Sequence, residues 1–427
     1  MLLKRTDHPA IGETSYTGAL ANGLRVTVIP RPGFLKKYAC FAANYGGVMR
    51  DFSVAGQSVE TPEGVAHFLE HKMFDMPWGN ALAVLSSRGA NPNAYTSDFI
   101  TAYHFECTEN FYQNLDTLLE FVSTPYFTAE SVKKEQGIIG EEIGMTENDP
   151  SHAVYYGLMR CLYERCRVRD SIVGTVESIA EITPEILETC HRAFYAPSNM
   201  QLCVIGDVEP ERVTEAAERI LPGELSPAPE PDFGAPEGPE PFERRFSREM
   251  DVSAPQFMFG AKLPADCAGG ELLRRRLTGS LALRCLAGTS SPLYTSLYAE
   301  GAIRSLWYEL DWGPCASYAV LGGESREPEQ VLERFAAAAG KAAAEGLDAA
   351  AFERCRRAEY GSRIRALERP ASLADTLVRS GFAGFDCLRA FELLPEIRAE
   401  DCAAFIKEYL APDRLALSVV RPGPRKD

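Results

Sequence analysis

Gly64-Val65-Ala66-His67-Phe68-Leu69-Glu70-His71 sets two imidazoles and a carboxylate within five residues. Wound as an α-helix of about 3.6 residues per turn, the stretch stacks His67 and His71 on one face with Glu70 close beside them. Neutral imidazole nitrogens are good zinc ligands, and a catalytic zinc needs one further protein ligand and an open position for water. Glu70 is then placed to take a proton from that water rather than to bind the metal. The order His-x-x-Glu-His inverts the more common zinc-hydrolase motif. With six histidines in 427 residues, a chance pairing of this kind is a poor account of the pattern.

The third ligand is expected downstream, on a helix able to face the motif. In Glu135-Gln136-Gly137-Ile138-Ile139-Gly140-Glu141-Glu142, positions 135 and 142 share a helix face, while Glu141 is turned about 100° away. Glu142 is therefore assigned as the ligand and Glu135 as the carboxylate that orients a ligand histidine. Gly137 and Gly140 weaken a helix interior, which predicts close approach to a neighbouring element.

Outward from the motif, Leu24 to Ile29 and Ala39 to Tyr45 alternate as strands, and the motif helix is expected from Glu63 to Phe74 with Thr61 as its cap. Helices follow at 79–88, 110–122, 129–142 and 152–163, with a strand from Thr101 to Glu106 fed by the polar stretch Asn91 to Thr96. The half closes with the strand Gln201 to Ile205 and a helix from Glu209 to Leu221. Residues 222–241, with Ser226-Pro227-Ala228-Pro229-Glu230-Pro231, are too poor in apolar side chains to pack and read as an extended linker. Beyond it, strands at 242–249 and 256–262 precede long helices at 271–286 and 327–346. Phe194-Tyr195-Ala196-Pro197-Ser198-Asn199-Met200-Gln201-Leu202-Cys203-Val204-Ile205 is echoed by Glu408-Tyr409-Leu410-Ala411-Pro412-Asp413-Arg414-Leu415-Ala416-Leu417-Ser418-Val419-Val420. The expected architecture is α+β: two homologous α/β-sandwich halves, each a mixed sheet covered by helices, spanning 1–221 and 242–427. The motif occurs in the first half alone.

A net charge of −16 disfavours nucleic acid as a partner. The twelve cysteines are scattered without Cys-x-x-Cys spacing, as reduced core residues of a cytoplasmic protein would be. Met1-Leu2-Leu3-Lys4-Arg5-Thr6-Asp7-His8 turns polar too soon for a signal peptide, and no run reaches a membrane span of roughly 18 apolar residues. Phosphate-cradling glycine loops are absent, and His104, His152 and His191 stand isolated, His104 being the nearest to the expected edge of the sheet.

His67-x-x-Glu70-His71 with Glu135 and Glu142, together with Gly174-Thr175-Val176-Glu177-Ser178-Ile179, resembles the insulinase or pitrilysin family of zinc peptidases, which includes mitochondrial processing peptidase. The resemblance spans the chain and implies Zn2+ as cofactor, with His67, His71 and Glu142 as metal ligands and Glu70 and Glu135 as the catalytic carboxylate and its support. It also implies that Asn93, Ala94 and Tyr95 border an edge strand to which a peptide substrate adds as a further strand. Active members carry, in the second half, an Arg followed seven residues later by a Tyr. In Ser291 to Arg304, Tyr298 stands where that Arg is expected, and Arg304 lies near the place of the Tyr. The resemblance thus implies a heterodimer in which a homologous subunit supplies the Arg/Tyr pair. The alternative is a homodimer using Tyr298, Tyr308 or Arg304. From a different class comes the reading of a non-proteolytic helper in assembly or in elongation factor P modification.

Overall fold

The structure, a computed structural model, describes residues 3–423. Its contacts divide into two units, each a mixed sheet with helices packed on it. Of the described residues, the first comprises 3–143, 171–233 and 364–388; the second, 144–170, 234–363 and 389–423.

The sheet of the first unit has seven strands, in the spatial order Lys4–His8, Glu13–Ala19, Arg25–Pro30, Met200–Gly206, Lys37–Ala43, Thr101–Cys107 and Asn91–Thr96. Met200–Gly206 is buried throughout and pairs parallel to Arg25–Pro30, while the other pairings are antiparallel. A strand covered on both faces reads as a continuous apolar run, which is why Leu202 to Ile205 lack alternation. The polar segment before Thr101 is itself a strand, Asn91–Thr96, and it forms the sheet's edge. Strand composition gave no sign of it, because edge strands tolerate Asn and Pro. The two opening strands, Lys4–His8 and Glu13–Ala19, also lie outside the sequence expectation.

The second unit repeats this order with five strands: Arg245–Met250, Ala416–Pro422, Gln256–Leu263, Ser317–Glu324 and Ser305–Trp312. Here the closing strand Ala416–Pro422 lies parallel to Arg245–Met250 and antiparallel to Gln256–Leu263, as Met200–Gly206 lies parallel to Arg25–Pro30 and antiparallel to Lys37–Ala43. A single 3-10 turn, Pro197–Asn199 or Pro412–Arg414, leads into each closing strand, which is the structural content of the two Ala-Pro echoes.

Neither unit is a contiguous half of the chain. The helix Pro150–Leu162 belongs to the second unit and packs on the strands Ala416–Pro422 and Gln256–Leu263. Conversely, Pro370–Phe382 belongs to the first and covers Met200–Gly206 and Lys37–Ala43, where Gln201 Nε2 donates to the Leu377 carbonyl. Each half of the sequence thus lends one helix to the other half's sheet, an exchange that local patterning cannot encode. Nor is the segment 222–241 merely extended. Glu230–Pro231 pairs with Asp51–Val54 in the first unit. In the second unit, the Glu237 carboxylate accepts the backbone N–H groups of Glu164, Arg165 and Cys166 at 2.7–2.8 Å.

The lent helix Pro150–Leu162 sits close to its sheet because Gly157 has no side chain. A Cβ there would lie 2.3 Å from Phe246 Cδ1 and 2.5 Å from Ser418 Oγ. Gly157→Val is expected to cost about 1–3 kcal/mol or more through overpacking, read as a lower thermal midpoint; an unchanged midpoint would show that this helix has room to lift away.

Candidate metal centre

The motif helix runs Val65–Lys72. Thr61 does not cap it: its hydroxyl donates to the Arg50 carbonyl, and the N-cap is Gly64, left-handed at φ 87 with no side-chain cap bond. That conformation favours glycine, and space requires it, since a Cβ on Gly64 would lie 2.7 Å from the Val173 carbonyl oxygen. Gly174, also left-handed, would likewise press a Cβ within 2.7 Å of the Glu63 carbonyl. The two glycines let two backbones meet, and Ser178 Oγ closes the junction by donating to that Glu63 carbonyl at 2.8 Å. The start of the motif helix is therefore fixed by tertiary contact.

From that start, His67 and His71 rise on one face with ring centroids 4.6 Å apart. The second helix, Ala129–Glu147, brings Glu142 to them. Its carboxylate lies 3.6 Å from His67 Nε2 and 3.7 Å from His71 Nε2. Among the described residues, His67, His71 and Glu142 form the group of His, Cys, Asp and Glu side chains able to hold a metal, with donor atoms within 4.8 Å of one another. A tetrahedral zinc with ligand distances of about 2.0–2.1 Å separates its donors by about 3.3–3.5 Å, and the two contacts to Glu142 lie close to that spacing. Glu135 accepts a hydrogen bond from His71 Nδ1 at 3.0 Å and so leaves Nε2 as the His71 nitrogen that faces Glu142. Glu141 is exposed, as its rotation about the helix predicts. Gly137 and Gly140 have nothing within 4 Å of the place a Cβ would take; the close approach expected of them does not occur.

Burial and charge tune this group. Burial, aided by the charge of His71, pushes the His67 pKa down to about 3, so this imidazole is neutral and ready to ligate. The buried His67 Nδ1 has no hydrogen-bond partner among the described residues. For His71, burial acts downward, but the Glu135 hydrogen bond and the charges of Glu70, Glu135 and Glu142 outweigh it and raise its pKa. Glu70 is 8% exposed, and burial raises its pKa against the Thr96 hydrogen bond and the charge of His71. A carboxyl group raised in this way suits proton transfer near neutral pH. Thr96 Oγ1 donates to Glu70 Oε2 at 2.6 Å. Sequence reasoning stopped at Tyr95; the alternation of the strand, which turns Thr96 to the face opposite Tyr95, was the signal that could have reached it.

Asn93, Ala94 and Tyr95 lie on the edge strand, hydrogen-bonded on one side to Thr101–Cys107. The Ala94 N–H is held by Asn93 Oδ1 at 2.9 Å. Tyr95 faces away from the metal group and donates to Asp375 Oδ1 at 2.5 Å, an acceptor held in turn by Arg379 Nε at 3.0 Å. His104 stacks on Tyr38, His152 lies tilted against Tyr156 with ring centroids 4.5 Å apart, and buried His191 meets the Val122 carbonyl at 3.0 Å, so none of the three joins the metal group. In the second unit, Tyr298 is 59% exposed and stacks on Tyr294, Arg304 pairs with Glu324 at 3.6 Å, and Tyr308 is half-buried in the strand Ser305–Trp312. No disulfide joins the cysteines. No helix among the described residues is long and apolar enough to cross a membrane.

Comparison with known proteins assigns this duplicated α/β sandwich to a family of peptidases. Residues 54–176 match the insulinase (peptidase family M16) domain, and residues 181–359 match the peptidase M16 inactive domain. The chain belongs to the M16 family. It is 36% identical over 430 residues to the uncharacterized zinc protease YmfH of Bacillus subtilis, covering 99% of this chain and 100% of that one. It is 28% identical over 214 residues to a protein of Arabidopsis thaliana named as probable mitochondrial-processing peptidase subunit beta, covering 49% and 39% of the two. An M16-like peptidase structure from Alicyclobacillus acidocaldarius superposes with a TM-score of 0.92 at 33% identity, covering 96% of this chain and 99% of that one.

Ligation requires His71 to shed its proton, and its raised pKa means that protons compete with metal at higher pH than at an ordinary histidine. Zinc affinity should therefore fall as pH is lowered through and below neutrality. Glu135→Gln, which removes the partner that raises His71, should move that loss to lower pH while weakening affinity at pH 8 about 10–100-fold. Isothermal titration with zinc across pH checks both; identical pH curves for the two proteins would remove Glu135 from the account.

Proposed function

We propose that the chain is a zinc-dependent endopeptidase that takes oligopeptides or a peptide precursor as an added strand along Asn91–Thr96. The convergence of His67 Nε2, His71 Nε2 and the Glu142 carboxylate beside a buried Glu70 carries this reading. Zinc at His67, His71 and Glu142 would lower the pKa of a water to about 7 and polarise the peptide carbonyl. Glu70 would accept the proton of the attacking water and deliver it to the amine nitrogen of the leaving product. Its raised pKa suits both halves of that transfer. Asn93 Oδ1 would surrender the Ala94 N–H to the substrate backbone. Binding through main-chain groups predicts broad tolerance of substrate sequence.

We further propose that a homologous subunit completes the site with an Arg/Tyr pair. Arg304 is engaged by Glu324 and Tyr298 stacks on Tyr294, so neither is arranged as that pair would be. A lost oxyanion donor typically costs about 10²–10³ in rate, so the chain alone should be a weak peptidase. The reading as an assembly or elongation factor P modification helper gives Glu70 no task.

Purified chain should bind about one zinc and cleave a peptide library slowly, with a large gain on mixing with its copurifying homologue. Glu70→Gln should keep the zinc and abolish cleavage in both settings. Cleavage by Glu70→Gln at the wild-type rate would end the peptidase reading, and full activity of the chain by itself would end the pairing.

A further inference from the structure

Adjacent residues of the edge strand, Tyr95 and Thr96, point to opposite faces and are both tied down, Tyr95 to Asp375 and Thr96 to Glu70. Among the described residues, the Thr96 hydroxyl is the hydrogen-bond partner of the Glu70 carboxylate. A hydroxyl carries one hydrogen, and its neighbour decides where that hydrogen goes. Thr96 stands directly opposite Thr101 in the antiparallel register, with the two oxygens 3.4 Å apart. Thr101, fully buried, spends its own hydrogen on the Tyr45 carbonyl at 2.9 Å. Thr101 can therefore only accept from Thr96, and the short 2.6 Å contact marks Glu70 as the stronger acceptor. The branched Cβ of threonine in a strand holds χ1 and with it the direction of the donor.

We infer that Thr96 is a positioning residue for proton transfer: it holds one oxygen of Glu70, Oε2, and so presents Oε1 to the attacking water. The same strand is the proposed seat of the substrate backbone, so the group that aims the base and the edge that holds the scissile peptide move together. On the opposite face, Tyr95 donates to Asp375, which Arg379 holds in turn, so the strand is anchored from that side as well. This role rests on the peptidase reading given above.

The test compares wild type, Thr96→Val and Thr96→Ser with the partner subunit present. Valine keeps the branching and volume but lacks the hydroxyl; serine keeps the hydroxyl. The expected result is a kcat lowered at least about tenfold in Thr96→Val with KM within about twofold, substantial recovery in Thr96→Ser, and equal zinc content and thermal midpoint in all three. A crystal structure of zinc-loaded Thr96→Val should show the Glu70 carboxylate rotated from its wild-type position. An unchanged kcat, a loss confined to KM, equal loss in the serine variant, or a Glu70 carboxylate that stays in place would each overturn the inference. If wild type and Glu70→Gln hydrolyse peptides alike, the peptidase reading fails instead, and the crystallographic comparison still decides whether Thr96 orients Glu70.

Discussion

Two imidazoles, one buried and one half-buried, have to meet a carboxylate at one point, and much of the first unit is arranged to make them do so. Bringing such groups together takes them out of water, and burial is the largest cause that holds His67 neutral and pushes Glu70 toward its protonated form, with the charge of His71 on His67 and of Glu142 on Glu70 acting in the same directions. The fold meets that cost by fixing helices rather than by flexible side chains. The motif helix is set by the backbone junction of Gly64 and Gly174, and the carboxylate helix reaches it through Glu135 as well as Glu142. A site placed on rigid elements keeps its donors within the narrow tolerance that metal chemistry allows.

The duplicated topology separates scaffold from chemistry. Both sheets run in the same strand order with the same parallel pair, yet the His-x-x-Glu-His helix faces one of them only. The exchange of Pro150–Leu162 and Pro370–Phe382 makes each sheet depend on residues from the other half of the chain. One consequence reaches the site: Asp375, which anchors Tyr95 and hence the edge strand, is encoded far from the metal ligands. Each unit is for that reason built from both halves of the chain.

The element boundaries were largely legible because the periodicities were strong. The strands Arg25–Pro30, Gln256–Leu263 and Met200–Gly206 and the helices Phe111–Ser123 and Pro328–Glu345 fall within a residue or two of their sequence expectation. The strands Ser305–Trp312 and Ser317–Glu324 and the helices Ala349–Leu367 and Pro370–Phe382 lie outside the sequence expectation, and other features that escaped had weak local signatures. Asn91–Thr96 is polar because it is an edge, Gly64 caps its helix where a distant carbonyl leaves no room for a Cβ, and Glu237 pins the proline-rich segment by a carboxylate among backbone donors.

Spacing along a helix was enough to place His67, Glu70 and His71 together and to choose Glu142 over Glu141, because residues of one helix keep fixed angles to one another. The sequence likewise determined the doubling of the sandwich, through its repeated Ala-Pro turn and closing strand. Tertiary structure alone decided what approaches that helix from elsewhere: Glu142 at 3.6–3.7 Å, the Thr96 hydroxyl on Glu70, and Asp375 behind the edge strand. Periodicity reports angles within one element, and these distances run between elements, where only packing sets them.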